Sequence, residues 1–349
     1  MEGTLRDGVV HLSGNARQQF YDARGYGYPT GGNDIAVAPV EAAHLLFRGD
    51  LDAVVDDDRR LGFREFLTGT GSDQFGLRFL VYADLRARGF YLSPARERWT
   101  PNSADIENVD FVVYPRGKGP EDGRVAYRIR VVGERQRQPA ASLGDCTLAI
   151  VDEESEITYF ETGRPDVTGS TTVDLPDEVP AVLFADRAIC WEPPEQLHDS
   201  GFYGQPLAER NADGIHGLQL SLVEAAQLAD AGAIDVPGGY EAVVERGRAV
   251  EGERFDRRLT AYSALREQGI VPKTGFKFGA DFRTYADVES VEELSHSERL
   301  VRVLPSGHEF APRDLSLDIR LAHGVRKEML FALPDGAGID WLAVGRITP

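Results

Sequence analysis

Tyr82-Ala-Asp-Leu-Arg-Ala-Arg-Gly89 returns 180 residues later as Tyr262-Ser-Ala-Leu-Arg-Glu-Gln-Gly269, and this echo decides how the 349-residue chain is read. Three further pairs keep the same order. Val40-Glu-Ala-Ala-His44 is matched by Val223-Glu-Ala-Ala-Gln227, Asp110-Phe-Val-Val-Tyr114 by Asp281-Phe-Arg-Thr-Tyr285, and Arg128-Ile-Arg-Val-Val132 by Leu300-Val-Arg-Val-Leu304, at offsets of 183, 171 and 172 residues. Four collinear matches at nearly one period predict an internal duplication. A boundary is expected near Glu161–Ser170, where TGRPDVTGS has turn-forming residues and no apolar periodicity. The expected units are residues 1–165, with a leading part over about 1–70 and a trailing part over 71–165, and residues 170–349, with a leading part over about 170–250 and a trailing part over 254–349.

Each copy follows an α/β plan. Phe75–Arg88 and Phe255–Gln268 read as amphipathic helices stopped by Gly89 and Gly269. Pro39 suits a first helical position, and Ser221-Leu-Val-Glu224 is a capping box opening the equivalent helix in the second copy. Strands are expected over Phe278–Tyr285 and Arg299–Leu304, then a short helix from Pro312 to Gly324, then strands Lys327–Leu333 and Ile339–Ile347 joined by PDGAG. The predicted fold class is α/β, with helices on a mixed sheet, used twice in tandem.

Composition narrows the setting. The opening MEGTLRDGVV has neither a basic nor an apolar leader segment, so no signal peptide is expected, and no apolar run reaches the roughly 20 residues of a membrane span. Cys146 and Cys190 stand alone, which predicts reduced thiols and a cytoplasmic setting. The net charge of -19 with pI near 4.8 repels phosphate. Yet 34 of the 38 basic residues are arginine, the lysines being Lys118, Lys273, Lys277 and Lys327. An acidic, lysine-poor chain points to a salt-loving cell, where screening shortens to roughly 3 Å at 1 M salt. From Lys273 to Met329 nine basic and ten acidic residues nearly balance, and three of the four lysines fall there. That window predicts a local need for cations.

Tyr285, His296 and Lys327 lie in the same window, in the contexts GFKFGADFRTY, SHSERLVRVLP and RLAHGVRKEMLFAL. A phenol, an imidazole and an ammonium suit phosphodiester cleavage in which an RNA 2′-hydroxyl attacks its own phosphate. Histidine is apt to protonate a leaving oxygen, and lysine offers a compact charge for phosphate. Tyrosine, with an ordinary pKa near 10, serves as a base only where neighbouring cations favour its phenolate. A metal-dependent nuclease would instead use paired carboxylates, for which Asp314, Asp318 and Glu328 are the nearby residues. A third reading is a non-catalytic RNA-binding subunit.

These motifs resemble the successive motifs of the archaeal tRNA-splicing endonucleases, and the two-repeat form of that family is similar to essentially the whole chain. The resemblance implies Tyr285 as general base, His296 as general acid and Lys327 as transition-state stabiliser, without metal or other cofactor. It implies cuts at both splice sites of a bulge-helix-bulge precursor tRNA, leaving 2′,3′-cyclic phosphate and 5′-hydroxyl ends. Arg320 and Arg346 resemble the pair that sandwiches a bulged base. In the first copy Tyr114 aligns with Tyr285, Arg124 stands where His296 would be, and no lysine lies around Asp145 and Cys146. The first copy is therefore expected to be structural, and two cuts to require a homodimer. The resemblance also implies that the acidic turn Asp152-Glu-Glu-Ser155 docks into a basic cleft of a second chain; the alternative is a solvated turn.

Overall fold

Both copies contribute to one ten-stranded sheet, whose strands are labelled here β1 to β10 in chain order. They are β1 Leu92–Pro94, β2 Phe111–Val113, β3 Tyr127–Gly133, β4 Thr147–Val151, β5 Ile157–Gly163, β6 Val271–Thr274, β7 Phe282–Tyr285, β8 Arg299–Val303, β9 Glu328–Pro334 and β10 Ile339–Ile347. Their spatial order is β1-β2-β3-β4-β5-β10-β9-β8-β7-β6. From either edge inward the pairings run antiparallel, antiparallel, parallel, antiparallel, and β5 meets β10 antiparallel with Tyr159 opposite Ile347. The computed structural model describes residues 1–69, 74–96, 98–101, 105–207, 216–336 and 338–349.

Alternation along the strands gives the sheet two buried faces. Phe282, Val301, Val303, Leu330, Ala332 and Trp341 pack with Phe255, Leu259 and Tyr262 of the long helix Glu253–Glu267. Leu300, Met329, Phe331, Leu333, Leu342 and Val344 pack on the other side with Leu315, Ile319 and Ala322 of the helix Pro312–Gly324. In the first copy the helix Phe75–Ala87 covers Phe111, Ile129 and Val131 in the same manner as Glu253–Glu267. In the connection from β3 to β4 the first copy has a two-residue strand, Gln138–Pro139, and a short 3-10 turn, Ala140–Ser142, where the second copy has Glu309–Phe310 and the helix Pro312–Gly324. The outer strands β1 and β6 each have one neighbour and each carries a proline, Pro94 and Pro272.

Each copy also has a leading sheet, of six strands within Glu2–Leu61 and of five strands within Val179–Asp235. Against these sheets lie Pro39–Phe47, with Pro39 at its first turn, and Leu222–Asp230, capped by Ser221 as its capping box predicts. One expected strand is shorter than its sequence suggests. Phe276–Phe278 forms a 3-10 turn and the strand begins only at Phe282, because Gly279 takes the left-handed conformation at φ 69° and closes the turn. Among the described residues no helix is long and apolar enough to cross a membrane.

Candidate active site

Register brings two of the three expected residues, Tyr285 and Lys327, to one rim of the sheet. Thr284 of β7 faces Arg299 of β8, and Arg299 faces Glu328 of β9. Adjacent strands lie about 4.8 Å apart, so the residues one step further out, Tyr285, Glu298 and Lys327, stand side by side. Backbone bonds hold this rim: Glu298 N–H donates to the Thr284 carbonyl at 3.0 Å, and Glu328 N–H to the Glu298 carbonyl at 3.2 Å. His296 lies two residues before Glu298, exposed in the connection from β7 to β8. That connection is anchored where Ser170 N–H donates to Ala286, Val288 N–H to Thr171 Oγ1, and Val291 N–H to the Asp199 carbonyl.

Lys327 is placed by the way its helix ends. After Gly324, Arg326 adopts φ 58°, Arg326 N–H donates to the His323 carbonyl, and Lys327 N–H reaches back to Ala322 at 2.9 Å. This is a Schellman stop with arginine in the left-handed position. It turns the lysine side chain toward the β7–β8 connection, where Nζ donates to the Ser297 carbonyl, one residue from His296. Burial and the nearby Arg283 guanidinium lower the Lys327 ammonium from the ordinary lysine value, with Glu298 opposing. Tyr285 is 5% exposed, and the edge of Phe202 meets its ring at 5.6 Å between centroids. Tyr285 and Lys327 thus lie at one rim, with His296 exposed in the connection that Lys327 grips.

Arg320 and Arg346 are exposed and line one groove of about 560 Å³ between the Pro312–Gly324 helix and the β4–β5 hairpin, together with Arg313, His323, Asp152 and Glu156. The turn Asp152–Ser155 closes that hairpin. Asp152 Oδ1 accepts N–H bonds from Glu154 and Glu156 at 2.9 and 2.8 Å, and Glu153 pairs with Arg135 at 2.5 Å.

The first copy lacks the same rim chemistry. Its phenol, Tyr114, is fully buried and donates to Ser93 Oγ at 2.9 Å; burial pushes it up to about 12 against the opposing effect of that bond. Arg124 is exposed on the approach to β3. The register places Gly144 at the Lys327 position, since Thr147 faces Ile129 as Leu330 faces Val301. Gly144 takes φ 122°, which strains any residue with a β-carbon, and one placed there would lie 2.5 Å from Arg164 Nε, so that side chain would have to move.

Two further cations lie near the rim. Lys273, one of the three lysines of the cation-rich window, is turned inward: its side chain is 11% exposed, and Nζ donates to Glu224 and to the carbonyls of Phe202 and Gly204 at 2.9, 3.1 and 3.0 Å. Burial alone would raise the Glu224 carboxyl, yet Lys273 and the N–H groups of Ser221 and Gly204 hold it well below the carboxylate range. Burial lowers the Lys273 ammonium from the ordinary lysine value, while Glu224 and the two carbonyls around Nζ favour its charged form. Arg283 is the residue that motif reading passes over. It shares a face of β7 with Tyr285, and its guanidinium carbon lies 5.8 Å from that ring centroid. The two-residue spacing in Phe-Arg-Thr-Tyr was the signal for it.

Among the described residues no group of three or more His, Cys, Asp or Glu side chains is placed to hold a metal ion. The family described as tRNA intron endonuclease, catalytic C-terminal domain, matches residues 255–341. The one described as tRNA intron endonuclease, N-terminal domain, matches twice, at 1–67 and 179–245. The chain is 59% identical over 350 residues to a protein of Haloferax volcanii named tRNA-splicing endonuclease, and 57% over 352 to one of Halobacterium salinarum with the same name, with all of each chain covered. A Methanosarcina mazei protein, also named tRNA-splicing endonuclease, is 36% identical over 369 residues, with 98% of each chain covered.

Proposed function

The chain belongs to the tRNA intron endonuclease family, and on that premise we propose that its second copy cuts precursor tRNA at the Tyr285, His296 and Lys327 rim. Its activity is the excision of introns from precursor tRNA. In the proposed reaction Tyr285 takes the proton of the 2′-hydroxyl at the splice site. The freed oxygen attacks the adjacent phosphorus, forming the 2′,3′-cyclic phosphate, while the bond to the 5′-oxygen breaks. His296 protonates that leaving oxygen as a 5′-hydroxyl, and Lys327 balances the charge on the equatorial oxygens. Arg320 and Arg346, across their shared groove, take an unpaired base between two guanidinium planes.

The alignment of Tyr285, Glu298 and Lys327 across three adjacent strands, with Lys327 bonded to the residue after His296, is the observation that supports this assignment. One such rim per chain favours two chains acting on the two cuts of one intron. The test is an RNA with two bulges separated by a short helix, incubated with protein in EDTA at high salt. Cleavage in both bulges with cyclic-phosphate ends is expected. Uncut RNA with folded protein, or cutting that requires a divalent ion, refutes the mechanism.

A further inference from the structure

The two copies differ at a place that no motif marks. Tyr26 and Tyr203 are equivalent: each lies beneath the arginine of the repeated helix, Arg86 at 4.0 Å and Arg266 at 3.8 Å. The next residue donates its N–H to the helix glutamate in both, Gly27 to Glu41 at 2.8 Å and Gly204 to Glu224 at 3.0 Å. The preceding residue is left-handed in both. It is Gly25 at φ 63° in the first copy and Phe202 at φ 49° in the second. Glycine takes this conformation freely, whereas a bulky residue holds it only where its surroundings impose it.

The surroundings do impose it. Phe202 N–H donates to the His198 carbonyl at 2.9 Å, Arg266 donates to the Gly201 carbonyl at 2.7 Å, and Lys273 grips the carbonyls on both sides of Tyr203. Lys273 Nζ also sits 4.8 Å from the centroid of the Phe202 ring. The ring so held packs with Tyr285, Val271, Val288 and Leu294 in a small cluster of its own. The first copy has neither part: Ser93 stands at the Lys273 position and bonds Tyr114 directly, and the Tyr91 ring fills the space beside Gly25.

We propose that Phe202, clamped by Lys273 and Glu224, is a positioning residue that fixes the Tyr285 ring for the cleavage step. The inference rests on the reading of Tyr285 given above, and the experiment separates the two. Phe202→Gly installs the residue of the first copy, which suits the backbone there. Single-turnover cleavage of the two-bulge RNA is expected to slow about tenfold or more, as misplacement of a reacting group does, with the RNA Kd within about twofold of wild type. Phe202→Tyr, which keeps the ring, restores the rate. Tyr285→Phe keeps its own ring and loses the proton acceptor, so adding Phe202→Gly to it slows cleavage no further. A role in general stability would multiply the two losses and overturn the inference, as would a wild-type rate for Phe202→Gly alone. A wild-type rate for Tyr285→Phe instead overturns the reading of Tyr285 and this inference with it. If Phe202→Gly does not fold, Phe202→Leu, which keeps apolar volume without the ring edge, is held to the same criteria.

Discussion

Replacing Lys273 by methionine is expected to reverse the way stability depends on pH. The first copy shows how a glutamate behaves in this place without a cation bonded to it. Glu41, 1% exposed, accepts N–H bonds from Gly27 and Ala38 at 2.8 Å each, and burial raises its carboxyl from 4.5 to about 7 against them. Glu224 in Lys273→Met keeps its bonds from Gly204 and Ser221 and moves from well below the carboxylate range toward that of Glu41. In the wild type the depressed carboxyl contributes stability that is present above the unfolded value and lost as pH falls toward the folded one. In the variant the folded state binds the proton more tightly than the unfolded state. Its stability then falls as pH climbs from the ordinary glutamate value to about 7, by about 3 kcal/mol for a rise of about 2.5 pKa units.

Urea unfolding in molar KCl, followed by tryptophan fluorescence from about pH 5 to about pH 8, reads this slope. Above neutrality the single variant should lie about 3–5 kcal/mol below wild type, because an unpaired carboxylate is left buried. Lys273→Met combined with Glu224→Gln should recover part of that loss. A stability of Lys273→Met that is flat or rising over the interval, or a double variant no better than the single one, refutes the role of the pair.

His296→Ala and Lys327→Ala should each slow cleavage by about 10²–10³-fold in EDTA while leaving the melting temperature nearly unchanged, since neither side chain is sealed in the core. Tyr114→Phe should leave cleavage intact and cost about 1 kcal/mol in urea unfolding, the worth of its bond to Ser93. Arg320→Ala and Arg346→Ala should each weaken binding of the bulged RNA by about 1–3 kcal/mol, measured as Kd, with a smaller effect on the single-turnover rate at saturation.

The parts of the fold legible in the sequence were those carried by local signals. Gly89 and Gly269 stop their helices, Ser221 with Glu224 caps another, and Asp110 and Asp281 each precede a strand of the long sheet. The meeting of β5 with β10 has no such signal, because residues such as Phe160 and Arg346 find each other only through the completed sheet. The Lys273–Glu224 pair has no local signal, because its members lie 49 residues apart and Glu224 also caps its own helix; one carboxylate serves both. Phe202 was silent, since nothing in Ser-Gly-Phe-Tyr-Gly announces a left-handed phenylalanine. Tyr285 and Lys327 stand out in the sequence only as separate motifs, because the register that brings them to one rim depends on strand pairing.

Pro94 and Pro272 sit on the two outermost strands of the long sheet, where a proline lacks the N–H that an arriving strand would need. The sheet therefore stops growing at ten strands on both sides. Edge-to-edge pairing of two copies through the long sheet is thereby disfavoured. At high salt, where charge no longer holds molecules apart, those two prolines still guard the edges of the long sheet.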